Sequence, residues 1–349
     1  MATSAEDDVT TPEDATDEET EPLLAVKNLQ TAFFTDKEVI RAVDGISFDI
    51  RRGETVGIVG ESGSGKSVTA RSIMGLIKSP GRVLDGSSIR YQGVEMTDLS
   101  EKEYHSYRGG EIAMVFQDPL TSLNPVYTVG NQIKESLRLH QGLRGVEATE
   151  EAIELLEAVG IPDAPRRVKE FPHQFSGGMR QRAVIAMALA CDPDLLICDE
   201  PTTALDVTIQ AQILELLQQL QRERNLAMMF ITHDMGVIAE IADRVNVMYA
   251  GQIVERAPVR DLYRRPRHPY SEGLLVSMPQ IAPRSATRLA SIPGSPPMPW
   301  SQPPGCRFHP RCPYMTDACR ESDPALVELD DDHASRCIRV DELDLRGGV

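Results

Sequence analysis

Short runs of alternating apolar and polar residues fill positions 23 to 59, broken at Asp36-Lys37, Asp44-Gly45 and Arg52-Gly53. A period of two marks half-buried strands and the breaks are turn formers, so this stretch predicts a small antiparallel sheet. Farther along, the continuous apolar runs Ile112 to Phe116, Leu195 to Cys198 and Ala227 to Thr232 predict buried strands. Between and beside them, apolar positions recur at helical spacing over Gly130 to Leu139, Glu150 to Val159, Gly178 to Ala190 and Val207 to Arg222. Strands beside helices imply an α/β fold with a largely parallel, covered sheet.

The pattern changes after Pro258. His268-Pro269-Tyr270 is followed by a connector running from Pro279 to Pro304, whose prolines favour extended backbone over helix, and then by four crowded cysteines. Three parts follow: an acidic tail over 1–22, a main domain over 23–262 and an extension over 263–349. No internal repeat occurs, so the chain carries one copy of whatever the main domain does.

Charge and composition narrow the function. The formal charge is −17, and residues 1 to 21 hold nine acidic side chains and no basic one, which predicts a disordered, solvating tail. Such a balance disfavours nucleic acid as a partner. No stretch approaches the roughly 18 to 20 consecutive apolar residues that span a bilayer, and the acidic N-terminus does not read as a secretory signal. The chain is expected to be soluble and intracellular, meeting a membrane only through a partner.

Candidate chemistry begins at Gly60-Glu61-Ser62-Gly63-Ser64-Gly65-Lys66-Ser67, after the apolar run Thr55 to Val59 and before an expected helix from Ser67 to Ile77. Gly60, Gly63 and Gly65 let backbone N–H groups of the loop, including those at Ser62 and Ser64, converge on phosphate oxygens. Lys66 neutralises the outer phosphates and the Ser67 hydroxyl can ligate magnesium. The expected ligand is a nucleoside triphosphate. The run Leu195 to Cys198 ends in Asp199 and Glu200, 133 residues after Lys66 in the case of Asp199. Asp199 can hold magnesium through water and Glu200 can orient and deprotonate the attacking water.

Phe175-Ser176-Gly177-Gly178-Met179-Arg180-Gln181-Arg182 opens a helix and resembles the Leu-Ser-Gly-Gly-Gln signature of ATP-binding cassette (ABC) ATPases, departing from it at Phe175 and Met179. Gln117 at a strand end, Thr203-Ala204-Leu205-Asp206 after the paired acids, and His233 after Thr232 complete that family's order. The resemblance implies a P-loop NTPase cassette with a mixed sheet core, a small antiparallel β subdomain, a helical signature subdomain and a small irregular C-terminal extension. It implies ATP and Mg2+ as ligands, Gln117 as a sensor of magnesium and lytic water, Asp206 at a dimer seam and His233 on the γ-phosphate. Adenine needs an apolar platform, which the family supplies from an aromatic residue upstream; Phe33 is the first choice and Phe34 the fallback. Two cassettes meet head to tail in this family, so a second ATPase subunit, identical or homologous, would bring Ser176, Gly177 and Gly178 to the nucleotide held by Lys66.

The stretch Gln117 to Pro125 and the segment Arg267-His268-Pro269-Tyr270 resemble dipeptide and oligopeptide importers. That likeness implies two membrane permease subunits, an extracellular substrate-binding protein and a place on the cytoplasmic face of the membrane. Nickel and sugar importers share much of the pattern, and a soluble cassette of translation or repair is a further alternative, though paired cassettes, a coiled-coil insertion and basic surfaces are absent. Cys191 and Cys198 lie in apolar stretches and read as core residues. Cys306, Cys312, Cys319 and Cys337 have gaps of five, six and seventeen residues, without the tight pair usual for zinc. Four thiolates suffice for an iron–sulfur cluster, and some peptide-importer ATPases carry a 4Fe-4S cluster in a similar extension; zinc and free thiols are the alternatives, and a redox sensor is the rival role.

Overall fold

The structure, a computed structural model, describes residues 21–203, 205–278, 291–330 and 332–348. The tail expected over 1–22 lies outside them except for Glu21 and Pro22, as do Pro279 and Pro283 of the connector. Strands β1 (Leu24–Phe34) and β2 (Val39–Ile50) form a long antiparallel hairpin. Their sheet is completed by β4 (Gly81–Val83) and β5 (Ser88–Tyr91) on β1, with β6 (Val94–Glu95) beyond β5.

The run Thr55 to Val59 does not join that sheet. As β3 (Thr55–Val59) it is buried at every position and sits in the middle of a second, eight-stranded sheet. A strand apolar on both faces is stable only where both faces are covered, which the small sheet does not offer. Its neighbours are β7 (Ile112–Val115), β8 (Leu195–Asp199), β9 (Ala227–Thr232), β10 (Arg244–Tyr249), β11 (Gln252–Pro258), β12 (Val327–Asp330) and β13 (His333–Ser335). The order is β12-β13-β11-β10-β3-β9-β8-β7, parallel from β10 to β7 and antiparallel at the other end.

One core fills the space between the two sheets, with Ile50, Ile58, Ile73, Tyr91, Ile197 and Ile231 among its fully enclosed members. The opposite face of the parallel strands is covered by helices that include Val129–Ser136, Gly145–Ala158, Gly177–Leu189 and Val207–Arg224. The helix after the phosphate loop is shorter than its apolar pattern suggests. It spans Lys66–Ile73 and stops where Gly75 takes φ 61°, a left-handed conformation that ends helices cheaply only at glycine.

The C-terminal residues are built into this framework. β13 pairs with β11 and β12 with β13, so the extension prolongs the main sheet. Glu255 on β11 is the fastener. It is fully buried, and its carboxylate accepts hydrogen bonds from the backbone N–H groups of Arg267 (2.6 Å) and His268 (2.9 Å) and faces His333 Nε2 at 2.8 Å. A buried carboxylate is tolerable because every direction finds a partner.

Candidate active site

All the parallel strands deliver their C-terminal ends to one edge, where ligands bind in open α/β sheets. The phosphate loop follows β3, Gln117 lies two residues past β7, Asp199 ends β8 and His233 follows β9. There the loop closes around a cavity of about 1060 Å³, lined by residues 60–68 together with Gln117, Glu200, Thr203 and His233. Gly65 has φ 106°, and a Cβ on it would stand 2.5 Å from the Ala42 carbonyl oxygen, so a side chain there would force loop and β2 apart. The helix Lys66–Ile73 that begins here has no side-chain cap, leaving its first N–H groups for an anion.

Lys66 is buried and its Nζ donates to the carbonyl oxygens of Gly60 (2.7 Å) and Glu61 (3.1 Å), with Glu200 Oε1 at 4.0 Å. Burial pulls its pKa down, opposed by the carboxylates of Glu200, Asp199 and Glu61. Ser67 Oγ donates to Asp199 Oδ1 at 2.8 Å, which brings together two hard oxygen donors suited to magnesium. Burial raises the Asp199 pKa, and the Ser67 hydrogen bond is the largest opposing influence.

The Glu200 side chain is held by three neighbours. Gln117 Nε2 (3.1 Å) and Thr203 Oγ1 (3.0 Å) donate to its Oε2, and His233 Nδ1 lies 3.4 Å from its Oε1. Its backbone has φ 49°, uncommon for a residue with a Cβ, and is fixed by the Glu200 N–H bond to the Ile231 carbonyl at 2.9 Å. Strain of this kind persists where the surroundings over-determine it, as active sites do.

The signature segment and Asp206 stand outside this cavity. Ser176 caps the helix Gly177–Leu189 by accepting from Met179 N–H at 3.3 Å, and Asp206 caps Val207–Arg224 by accepting from Ile209 N–H at 3.0 Å. The two helix starts adjoin: a Cβ on Gly178 would meet Ile209 Cγ2 at 2.8 Å. Ser176, Gly177 and Asp206 are exposed. Both departures from the family signature serve the helical core, since Phe175 is buried in it and Met179 packs against it.

Neither Phe33 nor Phe34 lines the cavity. The Phe33 ring lies against Gly81, where an added Cβ would meet its Cε1 at 2.6 Å, and the Arg82 guanidinium lies 4.3 Å over the Phe34 ring. The wall nearest β2 is instead Arg41 and Ala42. Sequence reasoning also passed over Thr203 as a partner of Glu200, although the spacing of three residues across a turn is a usable signal, and over Leu274, residues 295–299 and Gln302, which line the cavity from the extension. Those last residues carry no motif.

Cys306, Cys312, Cys319 and Cys337 line one small apolar cavity with His268, Phe308 and His309. Among the described residues, no group of three or more Cys, His, Asp or Glu side chains could hold a metal ion. Also among them, no helix is long and apolar enough to cross a membrane.

Comparison with known proteins is consistent at every scale. Residues 43–203 match the ABC transporter family and residues 254–319 match the C-terminal region of oligopeptide/dipeptide transporters. The chain is 52% identical over 333 residues to a putative peptide import ATP-binding protein of Brucella melitensis, covering 93% of this chain and 98% of that one. It is 53% identical to the oligopeptide transport ATP-binding protein AppD of Bacillus subtilis (92% and 97% covered) and 52% identical to the dipeptide transport ATP-binding protein DppD of Escherichia coli (90% and 96% covered). Among solved structures, the dimeric post-hydrolysis state of the ATP-binding cassette MJ0796 with ADP and Pi superposes with a TM-score of 0.61 at 29% identity, covering 68% of this chain and 99% of that one. With its phosphate loop, paired acids, signature helix and fused C-terminal region, the chain belongs to the ATP-binding subunits of the oligopeptide/dipeptide branch of ABC transporters.

Proposed function

We propose that this chain hydrolyses ATP to power uptake of di- or oligopeptides through a membrane permease. The observation that carries the reading is the division of the site. Lys66, Ser67, Gln117, Glu200, Thr203 and His233 share one cavity, whereas Ser176, Gly177 and Asp206 are exposed beyond it. A signature turn that does not reach its own phosphate loop has use only in a second cassette. ATP binding then joins two cassettes, and hydrolysis separates them.

Within each site the labour divides by chemistry. The phosphate loop and Lys66 bind and orient the triphosphate. Glu200, fixed by Gln117 and Thr203, takes the proton of the attacking water, and His233, whose Nδ1 lies 3.4 Å from Glu200, is the residue to contact the γ-phosphate. Ser67 and Asp199 are the residues to hold magnesium, which neutralises charge on the phosphates when bound.

The permease surface follows Gln117. Val126 and Tyr127 are exposed (71% and 56%), and a groove of about 990 Å³ runs from Tyr127 past Gln132, Arg138 and Leu139. Two permease subunits there would place the chain at the cytoplasmic face, fed from outside by a substrate-binding protein. Nickel and sugar cargo remain the alternatives and separate cleanly. Vesicles holding the complex co-purified with this chain are expected to accumulate labelled dipeptide in an ATP-dependent way. ATP-dependent accumulation of nickel or sugar, with none of peptide, would overturn the cargo.

For the cysteine-lined cavity we infer an iron–sulfur cluster. Four thiols line that one cavity, which is the number of ligands such a cluster takes. Burial pushes the Cys312 thiol up to about 12 and Cys337 up to about 11, so an added cation is needed to make them thiolates. Protein purified without oxygen is expected to contain about four irons and four sulfides per chain. Stoichiometric zinc or bare thiols would refute the cluster.

A further inference from the structure

Glu61, the second residue of the phosphate loop, is held on three sides. Its carbonyl accepts from Lys66 Nζ at 3.1 Å, its N–H donates to Tyr270 Oη at 2.9 Å, and its carboxylate meets Arg311. The two Arg311 Nη groups donate to the two Glu61 oxygens at 2.6 and 3.0 Å, a planar fork matched to a carboxylate. The Arg311 side chain is 4% exposed. Its Nε donates to the Pro293 carbonyl at 2.9 Å, and its guanidinium lies 5.8 Å from the Tyr249 ring centroid and 6.0 Å from that of Phe308. Tyr249, Tyr270 and Phe308 pack on one another with centroids 4.6 to 5.3 Å apart. The arginine is thus seated in a rigid aromatic socket before it reaches the loop.

This pair joins residues 250 positions apart, one in the cassette and one in the extension. It also settles an electrostatic problem. Glu61 is one of three carboxylates facing Lys66, and an unneutralised charge there would oppose a triphosphate in the same loop. We propose that Arg311 is a positioning residue of the ATP site: by fixing and neutralising Glu61 it sets the shape and potential of the phosphate loop, so that the C-terminal extension controls nucleotide affinity. Residues 295–299 and Gln302, which line the same cavity, make the extension part of its wall.

The proposal rests on the ATP-site reading, and the test separates the two. Binding of a fluorescent ATP analogue and steady-state hydrolysis are measured on the full chain, native and as R311M, R311K, E61Q and R311M/E61Q, each checked for a cooperative melt. R311M is expected to raise Kd about five- to tenfold with kcat within about twofold of native, because it leaves the Glu61 charge unopposed; R311K, which keeps the charge and loses the fork, and E61Q, which removes the opposing charge along with the fork, are expected to raise it less. The double variant is expected to bind no worse than the weaker single, since both act through one contact. A merely structural role would lower the active fraction and leave Kd alone. If R311M does not fold, E61Q and R311K carry the test. Native affinity in every folded single variant, or effects that multiply in the double, would overturn the proposal; a native chain that bound no ATP would overturn the ATP-site reading with it.

Discussion

Glu200→Gln is expected to lower ATP turnover by about 10²- to 10⁴-fold while leaving ATP binding intact, because a positioned general base contributes roughly that much. The substitution is nearly isosteric, so the bond from Gln117 and the backbone bond to Ile231 survive in kind. What disappears is the ability to accept a proton. The bound state should therefore accumulate, and with it the closed pair of cassettes, seen as an ATP-dependent dimer in sedimentation. The near-native turnover of such a variant would remove Glu200 from the chemistry and shift attention to His233, whose Nδ1 lies 3.4 Å away.

Lys66→Ala should fail earlier, at binding. Its ammonium is enclosed by loop carbonyls and faces Glu200, Asp199 and Glu61, so deleting it leaves a net negative pocket for a highly anionic ligand. Charge-assisted hydrogen bonds to phosphate are worth about 1.5 to 3 kcal/mol, which corresponds to a rise in Kd of roughly 10- to 150-fold. Titration with an ATP analogue checks it, and wild-type affinity would contradict the role of the loop. The two variants together divide the site into a binding half and a chemical half.

Much of this architecture was legible in the chain. Ile112–Val115, Leu195–Asp199 and Ala227–Thr232 announced themselves as apolar runs because strands covered on both faces need no polar side. The acids and loop residues were legible because each motif sits at a strand end, and parallel strands bring all such ends to one edge. Contacts made by short, patternless segments were not. Strands of three or four residues, β13 and β12, carry no period, and the place of β13 on β11, which carries β12 with it, depends on pairing across about 80 positions of sequence. The fork between Arg311 and Glu61 has no local signature at either end. The expected platform at Phe33 rested on family likeness, which carries no information on its ring lying against Gly81.

The shared site is best tested by solving the Glu200→Gln transporter, purified with its permease and companion cassette, in the presence of MgATP. Each γ-phosphate should be touched by Lys66 of one cassette and by the signature serine of the other, with Ser176 of this chain reaching its partner's nucleotide. A nucleotide enclosed wholly by one cassette, with Ser176 facing solvent, would contradict the account.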